Sequence, residues 1–120
     1  MKIPEDLIPY TYKESKRVFE NDLSVKEAAE NMHKNCGINI NSSADYYYYF
    51  KYLKTGEGSC RILSSFTQEF YLKAMYDDYG REQLKKSLRH FKQLIVKFEG
   101  DKVGSKKLMW AIYTKYIDYV

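Results

Sequence analysis

The chain has 120 residues, of which 44% are apolar, 30% charged and 17% aromatic, with a formal net charge of +4. That length and apolar supply suffice for one hydrophobic core, and they exclude a disordered chain or a scaffold held only by disulfides. No run approaches the ~18 apolar residues of a membrane span, so a membrane partner is not expected.

Tyr12 to Asn21, after Pro4 and Pro9, reads as a first helix with Val18 and Phe19 inward. Ser24 is placed to cap a second helix, and Glu27 three residues on completes a capping box. Ala28, Ala29 and Met32 give that helix its apolar side, and Gly37 is placed to end it as a left-handed residue. A connector over Gly37 to Ser42 follows. Ser42 or Ser43 then caps a third helix, Ala44 to Lys54, with Asp45 complementing the dipole of its first turn. Gly56 and Gly58 mark a loop, Ser59 to Ser64 is ambiguous, and Ser64 or Ser65 starts a fourth helix that Gly80 terminates after Tyr79. Arg81 to Glu99 is the clearest helix. Leu84, Leu88, Phe91, Ile95 and Phe98 form one stripe at i, i+4, i+7, i+11 and i+14. After a polar break at 100–104, Ser105 is expected to cap a last helix carrying Leu108, Met109, Ile112, Tyr116 and Tyr119.

The predicted fold is all-α, a compact single domain over 1–120 built from five to six helices. Its core spans 12–99, and a C-terminal helix at 105–119 packs on it or lies at an interface. That last helix also carries Trp110, Tyr113 and Ile117 opposite Leu108 and Ile112. A helix apolar nearly all round is buried or has a partner, so the alternative expectation is a protein-interaction or dimerisation module, a homodimer included, that uses the Tyr-rich third helix and this C-terminal helix.

Charge is unevenly spread. Residues 1–50 hold six Lys/Arg against eight Asp/Glu, and residues 51–120 hold fourteen against eight. On the fifth helix Lys85, Arg89 and Lys92 form one row, and Lys86, His90, Gln93 and Lys97 form another. Stacked like charges mildly destabilise a helix, and an anion on that face explains them better than water does. Phosphates would give salt-sensitive, largely sequence-independent affinity. On the third helix Tyr46, Tyr49, Phe50 and Leu53 point inward, while Tyr47, Lys51 and Lys54 form a second stripe. The second and third helices resemble a helix-turn-helix in outline, although the expected connector is longer than the tight turn of that motif. Ser42 and Ser43 would hold a phosphate at the helix start, and Arg61 in the following loop is a further candidate. The bland alternative is a tyrosine run in the core and a solvated lysine face.

No constellation for catalysis is found: no nucleophile elbow, Walker loop, HExxH or CxxC. Asp77 and Asp78 are adjacent and face different directions on a helix. Cys36 and Cys60 have no paired spacing and read as free thiols of a reducing cytoplasm. His33 and Cys36 sit at i, i+3, but the remaining ligands of a zinc site would have to be His90 and Cys60, which no spacing supports. No cofactor or metal is therefore expected.

The stretch Ser24-Val25-Lys26-Glu27-Ala28-Ala29, then Gly37-Ile38-Asn39 leading into Ser42-Ser43-Ala44-Asp45-Tyr46, then Phe50 with Gly56-Glu57, resembles a known domain. Asp78-Tyr79-Gly80 with Leu84 and Leu88, then His90 and Phe98-Glu99, continue the pattern. The family is the small helical N-terminal accessory domain of bacterial HNH-type restriction endonucleases and related DNA-processing proteins. The chain departs from it in Tyr52-Leu53-Lys54-Thr55-Gly56, where the family has a Met-Leu-Asn-Gly-like helix end. The resemblance implies a DNA-binding target-recognition or accessory module that is not itself an enzyme, with any nuclease motif in a separate downstream domain.

Overall fold

The computed structural model describes residues 3–100 and 106–120. Among them are six α-helices and no strand: α1 (Ile8–Phe19), α2 (Val25–Cys36), α3 (Ile40–Thr55), α4 (Ser65–Tyr79), α5 (Arg81–Gly100) and α6 (Lys107–Ile117). A 3-10 turn over Glu5–Leu7 precedes α1. The predicted cap at Ser105 lies outside the described residues.

Local chemistry accounts for most ends. Ser24 and Glu27 form the reciprocal capping box that starts α2. Gly37, at φ 71°, closes it in the left-handed region. The Ser64 hydroxyl accepts from the Thr67 N–H and starts α4. Two helices begin earlier than the sequence predicts. α1 starts at Ile8, with Pro9 in its first turn, where a missing N–H costs nothing. α3 starts at Ile40 because Asn39 is its cap, accepting from the Asn41 N–H at 2.8 Å. The connector between α2 and α3 is therefore Gly37-Ile38-Asn39, three residues, not the longer one predicted.

α3 is the central element, packing on α1, α2 and α5. α4 packs on α5, and α6 lies against α5 and α4. The radius of gyration, 13.7 Å, is that of one compact body of this length. Tyr49, Phe50 and Leu53 of α3, Tyr71, Leu72 and Met75 of α4, and Leu84, Phe91 and Ile95 of α5 are fully buried. The centre is aromatic. Tyr12 lies 5.3 Å from both Phe50 and Tyr71, ring centre to ring centre, the Tyr71 pair edge-on. The buried Tyr49 hydroxyl donates to Gln68 Oε1 at 2.8 Å, and Gln68 Nε2 donates to the Leu63 carbonyl at 2.9 Å.

One buried carboxylate joins α1 to α2. Glu14, 2% exposed, accepts from Tyr10 Oη at 3.0 Å, Asn31 Nδ2 at 2.9 Å and Arg17 at 2.9 Å. Glu14→Ala strands those donors, and we expect a loss of about 2 kcal/mol in urea unfolding. A loss below ~0.5 kcal/mol would show that water replaces the carboxylate freely.

α6 is held at its far end by Glu69 of α4, which accepts from Lys115 Nζ at 2.6 Å and Tyr116 Oη at 2.9 Å. The Lys115 hydrogen bond holds the Glu69 carboxyl below its usual range, against the opposing effect of burial. A carboxyl with a depressed folded pKa contributes stability above its unfolded pKa and loses it as pH falls through the folded value. Glu69→Gln is thus less stable than the parent at neutral pH, and the gap closes below about pH 4. The single tryptophan, Trp110 of α6, reports this by fluorescence. A gap independent of pH would remove Glu69 ionisation from the account.

Candidate nucleic-acid interface

The core stripe of α5 fixes which residues point out. With Leu84, Ser87, Leu88, Phe91, Leu94 and Ile95 buried, the opposite face presents Lys85, Lys86, Arg89, Lys92 and Lys97, all exposed. From Lys85 to Lys97 the helix rises about 18 Å. Some other cations sit beside carboxylates, Lys16 by Asp78, Arg17 by Glu14, Lys73 by Asp77 and Lys115 by Glu69, while Lys13, Lys26, Lys34, Lys51 and Lys54 make no ion pair among the described residues. None of the five outer cations of α5 makes an ion pair among the described residues. Lys92 lies 6.0 Å over the Tyr113 ring of α6, and Lys97 5.9 Å over Phe98.

His90 belongs to the same row in sequence but to the packing in space. Its Nδ1–H donates to the Leu53 carbonyl at 2.9 Å, which fixes α5 against the C-terminal end of α3. The Tyr52 ring stands edge-on to it at 6.3 Å.

The third-helix candidates separate. Ser43 is fully buried, its hydroxyl donating to the Asn39 carbonyl at 3.0 Å. It is inside the helix because the cap lies four residues earlier, so it cannot meet a phosphate. Ser42 is exposed, and it faces the α2–α3 turn, away from Lys51. Lys54 is half-buried. Its Nζ donates to Gln83 Oε1 at 2.9 Å and lies 4.3 Å over the Tyr79 ring. Burial, and then the positive charge of Lys86, lower its pKa. Tyr47 and Lys51 remain half-exposed on the outer face. Tyr48, which the sequence reading left out, is 43% exposed there, with its ring 5.5 Å from that of Tyr47. Its spacing of three from Lys51 was the available signal.

The two basic surfaces adjoin. Lys54 at the end of α3 is within the field of Lys86 on α5. Arg61 is 4.0 Å from Asp45 on α3, while the neighbouring Cys60 feels the charge of Lys97. Burial pushes the Cys60 thiol up to about 11 despite that charge, so it is a poor nucleophile at neutral pH. The loop carrying Arg61 therefore runs between the outer faces of α3 and α5, and both faces border it. The first turns of α3 carry Asp45 and no cation before Lys51. The positive footprint is on α5 and its border, not at the α3 start.

Among the described residues no group of three or more His, Cys, Asp or Glu could hold a metal ion, and no helix is long and apolar enough to cross a membrane. No family model, curated protein or solved structure matches the chain.

Proposed function

We propose that this chain is a DNA-contacting module that grips the phosphate backbone with the outer face of α5, as an accessory to a restriction-type nuclease domain elsewhere. The observation that carries the reading is the concentration of five exposed cations, none in an ion pair among the described residues, on one face of a single helix, α5. Lys85, Lys86, Arg89, Lys92 and Lys97 contact phosphates, which position a duplex without reading its sequence. Arg61, Lys51 and the Tyr47–Tyr48 pair border that ridge and are placed for further contacts. The three-residue turn before α3 is within the length range of a helix-turn-helix, and it supports the same reading.

The test is fluorescence anisotropy with a short labelled duplex at low and near-physiological salt. Affinity that falls steeply with salt is the expected result. Absence of binding at low salt would sink the proposal.

A specific feature favours a second reading, a protein contact or homodimer through α6. Leu108 is 66% exposed and Phe66 of α4 is 40% exposed, and both line one apolar groove with Ala111 and Ile112. That reading requires concentration-dependent association in sedimentation. A monomer at all concentrations removes its homodimer form.

A further inference from the structure

A cavity of about 340 Å³ opens beside the α2–α3 turn, lined by Ile3, Pro4, Cys36, Ile38, Ser42 and Tyr46 among others. That volume is at the smaller end of the ~300–1,000 Å³ range of ligand pockets. Its wall is mostly apolar, and its polar groups converge from one side. Ser42 and Tyr46 are one turn apart on α3, so both lie on the same flank. The Tyr46 ring is buried, the residue being 8% exposed, while its hydroxyl is open to solvent and has no hydrogen-bond partner among the described residues, so it is free to donate. The backbone N–H groups of Ile38 and Asn39 also have no acceptor among the described residues. The polar side of the cavity is thus rich in donors.

Electrostatics select the kind of molecule. Among the described residues no Lys, Arg or His lines the cavity, and Asp45 is close enough to oppose ionisation of Tyr46. The positive start of α3 faces the negative end of α2 across a three-residue turn, so the two helix dipoles offset each other there. An anion gains little in this place.

We propose that this cavity binds a small, neutral, largely apolar molecule bearing one acceptor oxygen, a carbonyl compound such as a ketone or amide. The carbonyl oxygen accepts from the Tyr46 hydroxyl, with Ser42 as second donor, and the hydrocarbon part lies against Ile3, Pro4 and Ile38. The site is independent of the α5 ridge and does not rest on the DNA reading.

The test is an NMR titration of the 15N-labelled full chain with acetophenone, N-methylbenzamide, ethylbenzene and benzoate, following the amides of residues 36–46. Both carbonyl probes are expected to give saturable shifts centred on Gly37 to Ser42, tighter than ethylbenzene and benzoate. Tyr46→Phe keeps the ring and removes the donor, and it should weaken acetophenone binding roughly three- to tenfold. Ser42→Ala, at an exposed position, gives a second and smaller loss without risk to the fold. Absence of saturable shifts with either carbonyl probe overturns the site. Benzoate binding tighter than acetophenone, or both variants binding like the parent, overturns the assigned chemistry.

Discussion

Replacing Lys85 and Arg89 together by alanine is expected to weaken duplex binding roughly 10- to 60-fold near 0.1 M salt, by the same factor for every sequence. Each phosphate contact contributes about 0.9 to the slope of log affinity against log salt, so the slope should fall by about 1.8. Lys85 and Arg89 are four residues apart on α5, exposed and without an acidic partner among the described residues. Their mutual repulsion mildly opposes the helix, so the variant should melt at the same temperature as the parent or slightly higher. Weaker binding with equal or greater stability separates a lost contact from a damaged fold. The control is Lys16→Ala/Lys73→Ala, which removes the same formal charge from two residues already facing Asp78 and Asp77. If the control weakens binding as much as the α5 variant, the attraction is diffuse net charge and the ridge is not a footprint. If neither variant changes affinity, α5 does not touch DNA.

The parts of this interface that were legible in sequence are those set by local periodicity. The stripe from Leu84 to Ile95 defines the core side of α5 and hence its basic side, because a 3.6-residue repeat needs no knowledge of neighbours. The inward set Tyr46, Tyr49, Phe50 and Leu53 came from the same rule. Helix starts were harder, since Asn39, Ser42 and Ser43 are all good caps and only one can serve. Choosing a serine placed Ser43 on the surface, whereas the Asn39 cap puts it in the second turn, facing the core. The state of Lys54 could not be read from a helical wheel. Gln83, Tyr79 and Phe19, which surround its ammonium, lie 25 or more residues away in sequence. The role of His90 was hidden for the same reason. Its charge type suggested the basic row, and only the tertiary contact with Leu53 shows it to be a clip between α3 and α5.

That clip makes Gly56→Ala the substitution with the largest expected structural effect. Gly56 follows α3 at φ 76°, and a Cβ there would stand 2.7 Å from both Cδ2 and Nε2 of His90. Gly37 after α2 has nearly the same backbone, φ 71°, with nothing within 4 Å of its added Cβ. Gly37→Ala therefore measures the left-handed strain alone, about 1 kcal/mol. Gly56→Ala adds displacement of a ring that cannot yield without losing its bond to Leu53 and its edge contact with Tyr52, for a total of about 3 kcal/mol. In thermal melting the second variant should fall roughly 10 °C below the parent and the first only a few degrees. Gly56→Ala/His90→Ala should then cost less than the sum of its single changes, because the clash disappears with the ring. Equal losses at Gly37 and Gly56 would mean that His90 moves aside freely and does not fix α5 to α3. If the clip is real, Gly56→Ala also shifts Lys86 and Lys97 relative to Arg61, so it should reduce DNA affinity while leaving every cation in the chain.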